Sequence, residues 1–109
     1  MVLYPEKYFS ELFEKEGIDV ERYFRVSSYE LDFSIPEKRI CIEIDGEQHY
    51  SDPKIIESDK RRKVFLERLG WDLIRIRWSD YKKLNFDYRT KFISDLKSEI
   101  LKLTELKHH

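Results

Sequence analysis

Apolar and polar positions alternate along this chain in two different periods, and the switches between them mark out the elements. From Pro5 to Glu16, Phe9, Leu12 and Phe13 share one side of a 3.6-residue repeat. Pro5 suits a first turn and Gly17 a stop, so the segment predicts a helix. A short β-prone run, Arg22 to Ser27, is followed by two period-two segments, Leu31, Phe33, Ile35 and Ile40, Ile42, Ile44, separated by residues 36–39. That pattern predicts a β-hairpin. Setting all six apolar side chains on one face pairs Ile35 with Ile40, Phe33 with Ile42 and Leu31 with Ile44. The same register places Asp32 opposite Glu43 on the second face, with Glu30 and Asp45 beside them. Four carboxylates that close repel one another unless something positive offsets them.

Residues 54–69 return to helical spacing, with Ile55, Arg62, Phe65, Leu66 and Leu69 in one stripe and Gly70 at the end. At ~100° per residue Asp59 falls about 40° from Ile55 and about 20° from Leu66, so it points toward the sheet and needs a partner there. Residues 71–78 alternate again, which predicts a strand with Arg75 and Arg77 interleaved, and the preceding helix becomes its crossover. Phe86 to Leu106 is a long amphipathic helix with Phe92, Ile93, Leu96, Ile100 and Leu103 on one face, and Leu101 on the far side suggests an added contact. The predicted order is helix, three strands, helix, strand, helix: an α/β fold in which helices cover a small mixed sheet.

The 109 residues are the length of one domain, and 40% hydrophobic with 15% aromatic composition describes a globular chain. No apolar run approaches the ~18 residues of a membrane span, and the start has no basic-then-apolar signal order, so a cytoplasmic location without membrane contact is expected. Cys41 alone provides neither an internal disulfide nor a cysteine-based zinc site. The net charge of −1 conceals a division: residues 1–60 carry 8 Lys/Arg and 15 Asp/Glu, residues 61–109 carry 13 and 7. The basic half either faces a phosphate backbone or interleaves with the acidic half on folding. His108 and His109 read as a purification-tag remnant.

The candidate chemistry lies at the open end of the hairpin. Matched carboxylates there suit a hard divalent cation such as Mg²⁺, with Mn²⁺ as a substitute, because it prefers oxygen ligands and keeps several waters. Asp32 is the leading ligand, Glu43 and the backbone carbonyl of Ile44 complete the protein side, and Asp45 is a further candidate. Gly46 permits a sharp turn that returns His49 over the strand end. His49 could take a proton from water while Asp59 orients its imidazole, a division of labour that suits phosphodiester hydrolysis. Glu6 falls at the edge of the first helix's buried stripe, about 20° from Phe13. Arg61, Arg62, Arg75 and Arg77 are candidate phosphate contacts, with ion pairing to the acidic half as their alternative.

The run from Tyr29-Glu-Leu-Asp-Phe33 through Ile42-Glu-Ile-Asp-Gly-Glu-Gln-His49 to Ser58-Asp-Lys-Arg-Arg62, with Leu69-Gly-Trp71 and Ile76-Arg-Trp78, resembles the very-short-patch-repair-like endonucleases. These belong to the PD-(D/E)XK superfamily, and the resemblance points to its EDxHD branch, which includes phage-borne homing endonucleases. It implies a restriction-endonuclease-like fold, with Glu6, Asp32, His49 and Asp59 as the catalytic set. It also implies that Asp32 and a main-chain carbonyl of the next strand bind Mg²⁺, and that His49, oriented by Asp59, acts on the water. Coverage runs from about Glu6 to Trp78. The superfamily's usual lysine is replaced here by Asp45, and the zinc-binding cysteines of the repair enzyme are missing. Cleavage chemistry carries over, therefore, and target choice does not.

The expectation is a Mg²⁺-dependent endonuclease domain acting on double-stranded DNA, homing-type or otherwise site-specific, with a phage gene as one source the resemblance allows. Its small net charge suggests either a separate DNA-recognition domain in a longer protein or a homodimer. The alternative is a catalytically silent DNA-binding or dimerisation module of the same fold, and an RNA nuclease or a nickase is a further enzyme rival.

Overall fold

The computed structural model describes residues 5–107, so His108 and His109 lie outside the described residues. In chain order the elements are α1 (Pro5–Lys15), β1 (Glu21–Arg22), β2 (Arg25–Val26), β3 (Tyr29–Glu30), β4 (Phe33–Ile35), β5 (Ile40–Asp45), α2 (Gln48–Ser51), α3 (Pro53–Arg68), β6 (Asp72–Arg77), α4 (Trp78–Tyr81) and α5 (Phe86–Lys107). A single 3₁₀ turn, Pro36–Lys38, links β4 to β5 and ends on Arg39 in the left-handed region, φ 50°. The main sheet has the order β1-β4-β5-β6, with β4 antiparallel and β6 parallel to β5, and β2 pairs only with β3. This is the expected α/β class: a small mixed sheet flanked by helices, with a long C-terminal helix.

All six residues of β5 are buried, because helices cover both faces of the strand. On one face Ile40, Ile42 and Ile44 join Phe33, Ile35 and Ile76 and pack against Phe9 and Phe13 of α1 and Ile93, Leu96 and Ile100 of α5. Trp78 ends β6 by starting the turn of α4, and its ring stacks with Tyr81 against Tyr8 and Phe9. Lys107 fastens the far end of α5 by donating to the carbonyls of Lys38 and Arg39 at 2.6 and 2.7 Å and pairing with Asp72. Leu101 of that helix is exposed. On the other face a smaller cluster, Leu31, Cys41, Leu66 and Trp71, seats α3.

Helix α3 is bounded by local chemistry. Asp52 accepts from the backbone N–H of Lys54 at its start and Pro53 occupies its first turn. At its end Trp71 N–H bonds to Leu66 O and Gly70 N–H to Glu67 O, the Schellman arrangement, which Gly70 permits at φ 86°. Leu66 alone of this helix is fully buried; Phe65 and Leu69, expected in its apolar stripe, are only partly covered, with Phe65 against the Tyr29 ring. The crossover from β5 through α3 to parallel β6 is as expected.

The hairpin register agrees with expectation for Ile35 with Ile40 and Phe33 with Ile42, and then departs from it. Leu31 does not pair with Ile44. Its N–H goes to Phe24 O at 2.9 Å, which turns the side chain to the α3 face. The cause lies upstream, where the expected single run from Arg22 breaks at Tyr23 and Ser27, both at positive φ, into a separate small hairpin of β2 and β3. Glu30 therefore faces Arg25, not Asp45.

Because Leu66 is the main apolar anchor of α3, Leu66→Ala is expected to destabilise the fold by about 2–5 kcal/mol. Val64→Ala, at a site 47% exposed, is expected to stay within about 0.5 kcal/mol in the same urea titration.

Candidate active site

The face of β5 toward α3 carries Cys41, Glu43 and Asp45, and the two carboxylates are 4% and 2% exposed. A carboxylate this deep needs a charged partner. Arg62, from the inward stripe of α3, lies against Glu43. Arg75, the β6 residue in register with Glu43, places Nη1 3.1 Å from both oxygens of Asp45. Burial draws the Arg62 guanidinium below its usual range, and the charge of Arg75 adds to that. Burial likewise pushes the neutral Cys41 thiol from 9.0 up to about 12. Tyr50 closes this group by donating its hydroxyl to Asp45 at 3.1 Å, with Arg77 over its ring. Its own desolvation, then Asp45, raises the pKa of that hydroxyl.

Asp32 lies just beyond the last β4 ladder pair, where β5 continues without a partner on that edge. Two hydrogen bonds replace the ladder: Asp32 N–H donates to Glu43 Oε2 at 3.1 Å, and Ile44 N–H donates to Asp32 Oδ2 at 3.0 Å. In an extended strand a residue's N–H and C=O face the same neighbour, so the Ile44 carbonyl is directed to the Asp32 edge. Glu43 is thus engaged by Arg62 and by the Asp32 backbone, whereas Asp32 Oδ1 accepts no hydrogen bond among the described residues.

The chain leaves β5 at Gly46, and the single helical turn α2 carries His49 back toward α3. There Nδ1 lies 2.6 Å from Asp59 Oδ2, and Arg75 Nη1 lies 3.5 Å from the same oxygen. The expectation of an inward Asp59 that holds His49 is met in space, with Arg75 as an additional partner. A histidine held at Nδ1 by a carboxylate presents Nε2 as a proton acceptor. Asp45, His49, Tyr50, Asp59, Lys60, Lys63 and Arg75 border a cleft of about 170 Å³ at this end of the sheet.

Glu6 lies on the opposite side of the strand end, where it accepts from Arg22 Nη2 at 3.3 Å and from the Tyr23 hydroxyl at 3.2 Å. It shares with Ile44 and Gly46 the border of a larger cleft of about 540 Å³. The structure therefore links Asp32, Glu43 and Ile44 in one group and Asp45, His49, Asp59 and Arg75 in another, with Glu6 across from them. Among the described residues no hydrogen bond or ion pair joins Asp32 or Glu6 to His49, and no three His, Cys, Asp or Glu side chains are already gathered as a metal cage.

Of the four arginines named as phosphate contacts, Arg62 and Arg75 are committed to β5 carboxylates and Arg77 to Glu47 at 3.2 Å. Arg61 projects into solvent, 3.9 Å from Glu57. Arg22, Tyr50 and Lys60 were not singled out in the sequence, and Lys63, which with Arg62 was a possible structural ion-pair partner for Asp59, does not pair with it: Arg75 does. Aligning Ile42 and Ile44 with Ile74 and Ile76 puts Arg75 beside Glu43, whereas its ion pairs are with Asp45 and Asp59.

This arrangement, a parallel-plus-antiparallel sheet with acidic strand ends and a histidine returned by a glycine turn, describes a nuclease-type domain. The chain belongs to the REase_MTES_1575 family, a restriction-endonuclease-like, PD-(D/E)XK-type nuclease family, which it matches over residues 6–100. It is also similar to the solved "Homing Endonuclease I-Bth0305I Catalytic Domain", at 22% identity over 94% of each chain with a TM-score of 0.62, a likeness of fold. No curated protein matches it. Among the described residues no helix is long and apolar enough to cross a membrane.

Removing Arg62 leaves Glu43 buried and unpaired, so Arg62→Ala is expected to cost about 3–5 kcal/mol, and the double variant Arg62→Met with Glu43→Gln to recover most of it in denaturant unfolding. The raised Cys41 pKa stabilises the folded state below the unfolded thiol's value, and that contribution is lost as pH climbs from 9.0 toward about 12. At mildly alkaline pH a thiol reagent should label Cys41 promptly in denaturant and slowly in the native protein.

Proposed function

We propose that this domain is a metal-dependent endonuclease that hydrolyses phosphodiester bonds of double-stranded DNA, with Glu6, Asp32, His49 and Asp59 as its catalytic set. The observation that carries the reading is the 2.6 Å contact of His49 with Asp59, made by residues on two separate helices at the end of an acidic strand. The donor set fits Mg²⁺: a carboxylate oxygen of Asp32 without a hydrogen-bond partner among the described residues and the carbonyl of Ile44 are both hard oxygen ligands on one strand edge. When bound there, the ion would supply Lewis-acid stabilisation of the charge that develops on the phosphate and the departing oxygen.

The chain's own residues do the rest. His49 Nε2 takes the proton of the attacking water as its oxygen bonds to phosphorus, the phosphorus–oxygen bond to the departing alkoxide breaks, and the alkoxide is protonated from solvent. Asp59 holds the imidazole by Nδ1 and offsets the positive charge it acquires. Arg75 anchors Asp59 to Asp45, which keeps that carboxylate from swinging toward solvent. Glu43, closed off by Arg62, holds the Asp32 backbone so that its carboxylate faces Ile44. Glu6, restrained by Arg22 and Tyr23, borders the opposite side of the same strand end. Sequence choice would come from a further DNA-reading domain or from a second copy in a homodimer.

Plasmid cleavage at high protein concentration, with Mg²⁺, with Mn²⁺ and with EDTA, tests this. We expect metal-dependent nicking or linearisation that Asp32→Ala abolishes. His49→Ala should retain DNA binding and lose about 10²–10⁴-fold in rate. A wild-type domain that binds DNA and cuts under none of these conditions would instead support a silent binding module of the same fold.

A further inference from the structure

The cleft beside His49 carries a charge pattern that its ion pairs do not account for. Its lining holds three cations, Lys60, Lys63 and Arg75, against two carboxylates, Asp45 and Asp59. Arg75 is consumed between those two carboxylates. Lys60 and Lys63 are not: both are exposed, and neither ammonium lies within ion-pair distance of a carboxylate among the described residues. They sit three apart on α3, hence on neighbouring positions of one helix face, and Asp59 and Ile56 belong to the same border. The next helical cation, Arg61, points elsewhere and faces Glu57.

A pair of solvated lysines, held by a rigid helix at the rim of the cleft, outweighs the single negative charge that Arg75 leaves on Asp45 and Asp59, so the border as a whole is positive and its positive charge is at the solvated edge. We propose that Lys60 and Lys63 form a backbone clamp for a nucleic-acid duplex, each meeting one phosphate next to the bond that His49 addresses, and that Arg62 and Arg75 contact no phosphate at all. This rests on the nuclease reading for the identity of the ligand as DNA, and it deepens that reading by fixing which helix edge the strand follows. Lysine suits the task because its flexible stem places a point charge without the fixed fork an arginine demands, so the contact positions the duplex and reads no sequence.

Each phosphate neutralised by a lysine releases condensed counterions, which makes the clamp visible as a salt dependence that a merely structural role would not alter. The test is anisotropy titration of a short fluorescent DNA duplex in EDTA, across about 50 to 200 mM salt, with the wild-type chain and with Lys60→Gln/Lys63→Gln. The double variant should lower the slope of log K against log salt by about 1.8 and weaken binding on the order of 10- to 100-fold near 0.1 M salt, with unchanged circular dichroism and melting. Lys60→Arg/Lys63→Arg should restore both, and the charge-matched control Lys91→Gln/Lys102→Gln on α5 should change neither. An unaltered slope in the double variant, an equal loss in the α5 control, or no DNA binding by the wild-type chain overturns the clamp. Plasmid cleavage separates the two readings. Cutting with an unaltered slope removes the clamp and leaves the nuclease, and clamp-dependent binding without cutting removes the nuclease and leaves the clamp.

Discussion

Strand β5 is buried on both faces, and two of its six residues are carboxylates. Charged groups in that setting impose a severe requirement, since an unpaired one costs more than most other interactions in a domain this size supply. The requirement is met by one guanidinium from each side of the parallel unit: Arg62 from α3 and Arg75 from β6. The orientation of α3 and the register of β6 bring those two groups to Glu43 and Asp45. The isoleucines of the same strand meanwhile hold it in the main core, so alternate residues of β5 serve the core and the site.

From that constraint the site acquires its two halves. Glu43, quenched by Arg62, captures the Asp32 backbone where the antiparallel ladder has ended, and the freed edge of the strand turns Asp32 toward Ile44. Asp45, quenched by Arg75, lends its arginine to Asp59, and through Asp59 to His49. Replacing the superfamily's usual lysine with an acid is therefore accompanied by a guanidinium delivered from the neighbouring strand. The position stays electrostatically balanced, and an imidazole is held close to it on its own helical turn.

The division of charge between the acidic and basic halves of the chain is largely an interleaving. Pairs join Arg62 to Glu43, Arg75 to Asp45, Arg77 to Glu47 and Lys97 to Glu16, each drawing a cation from the second half to an anion of the first. The largely buried Arg62 and Arg75 set geometry and leave the long-range field to residues that remain solvated. A charge tally along the sequence counts both kinds alike, which is why it could nominate arginines and pass over lysines.

The periodicities of the sequence by themselves determined the helices α1, α3 and α5, the Phe33–Ile42 and Ile35–Ile40 register, the crossover and the inward direction of Asp59. These follow from local repeats of two and 3.6 residues, and each repeat is complete within one segment. The nearness of Asp32 to Glu43 and of His49 to Asp59 was legible for the same reason, because a short hairpin and the next helix are close in the chain. Only the tertiary structure decided where Leu31 would turn, since the small β2–β3 hairpin captures its N–H and overrides the alternation. It alone decided the partners of Arg62, Arg75 and Arg77 as well. An ion pair depends on distance between segments some 20 to 30 residues apart, and no periodic signal within either segment encodes that distance.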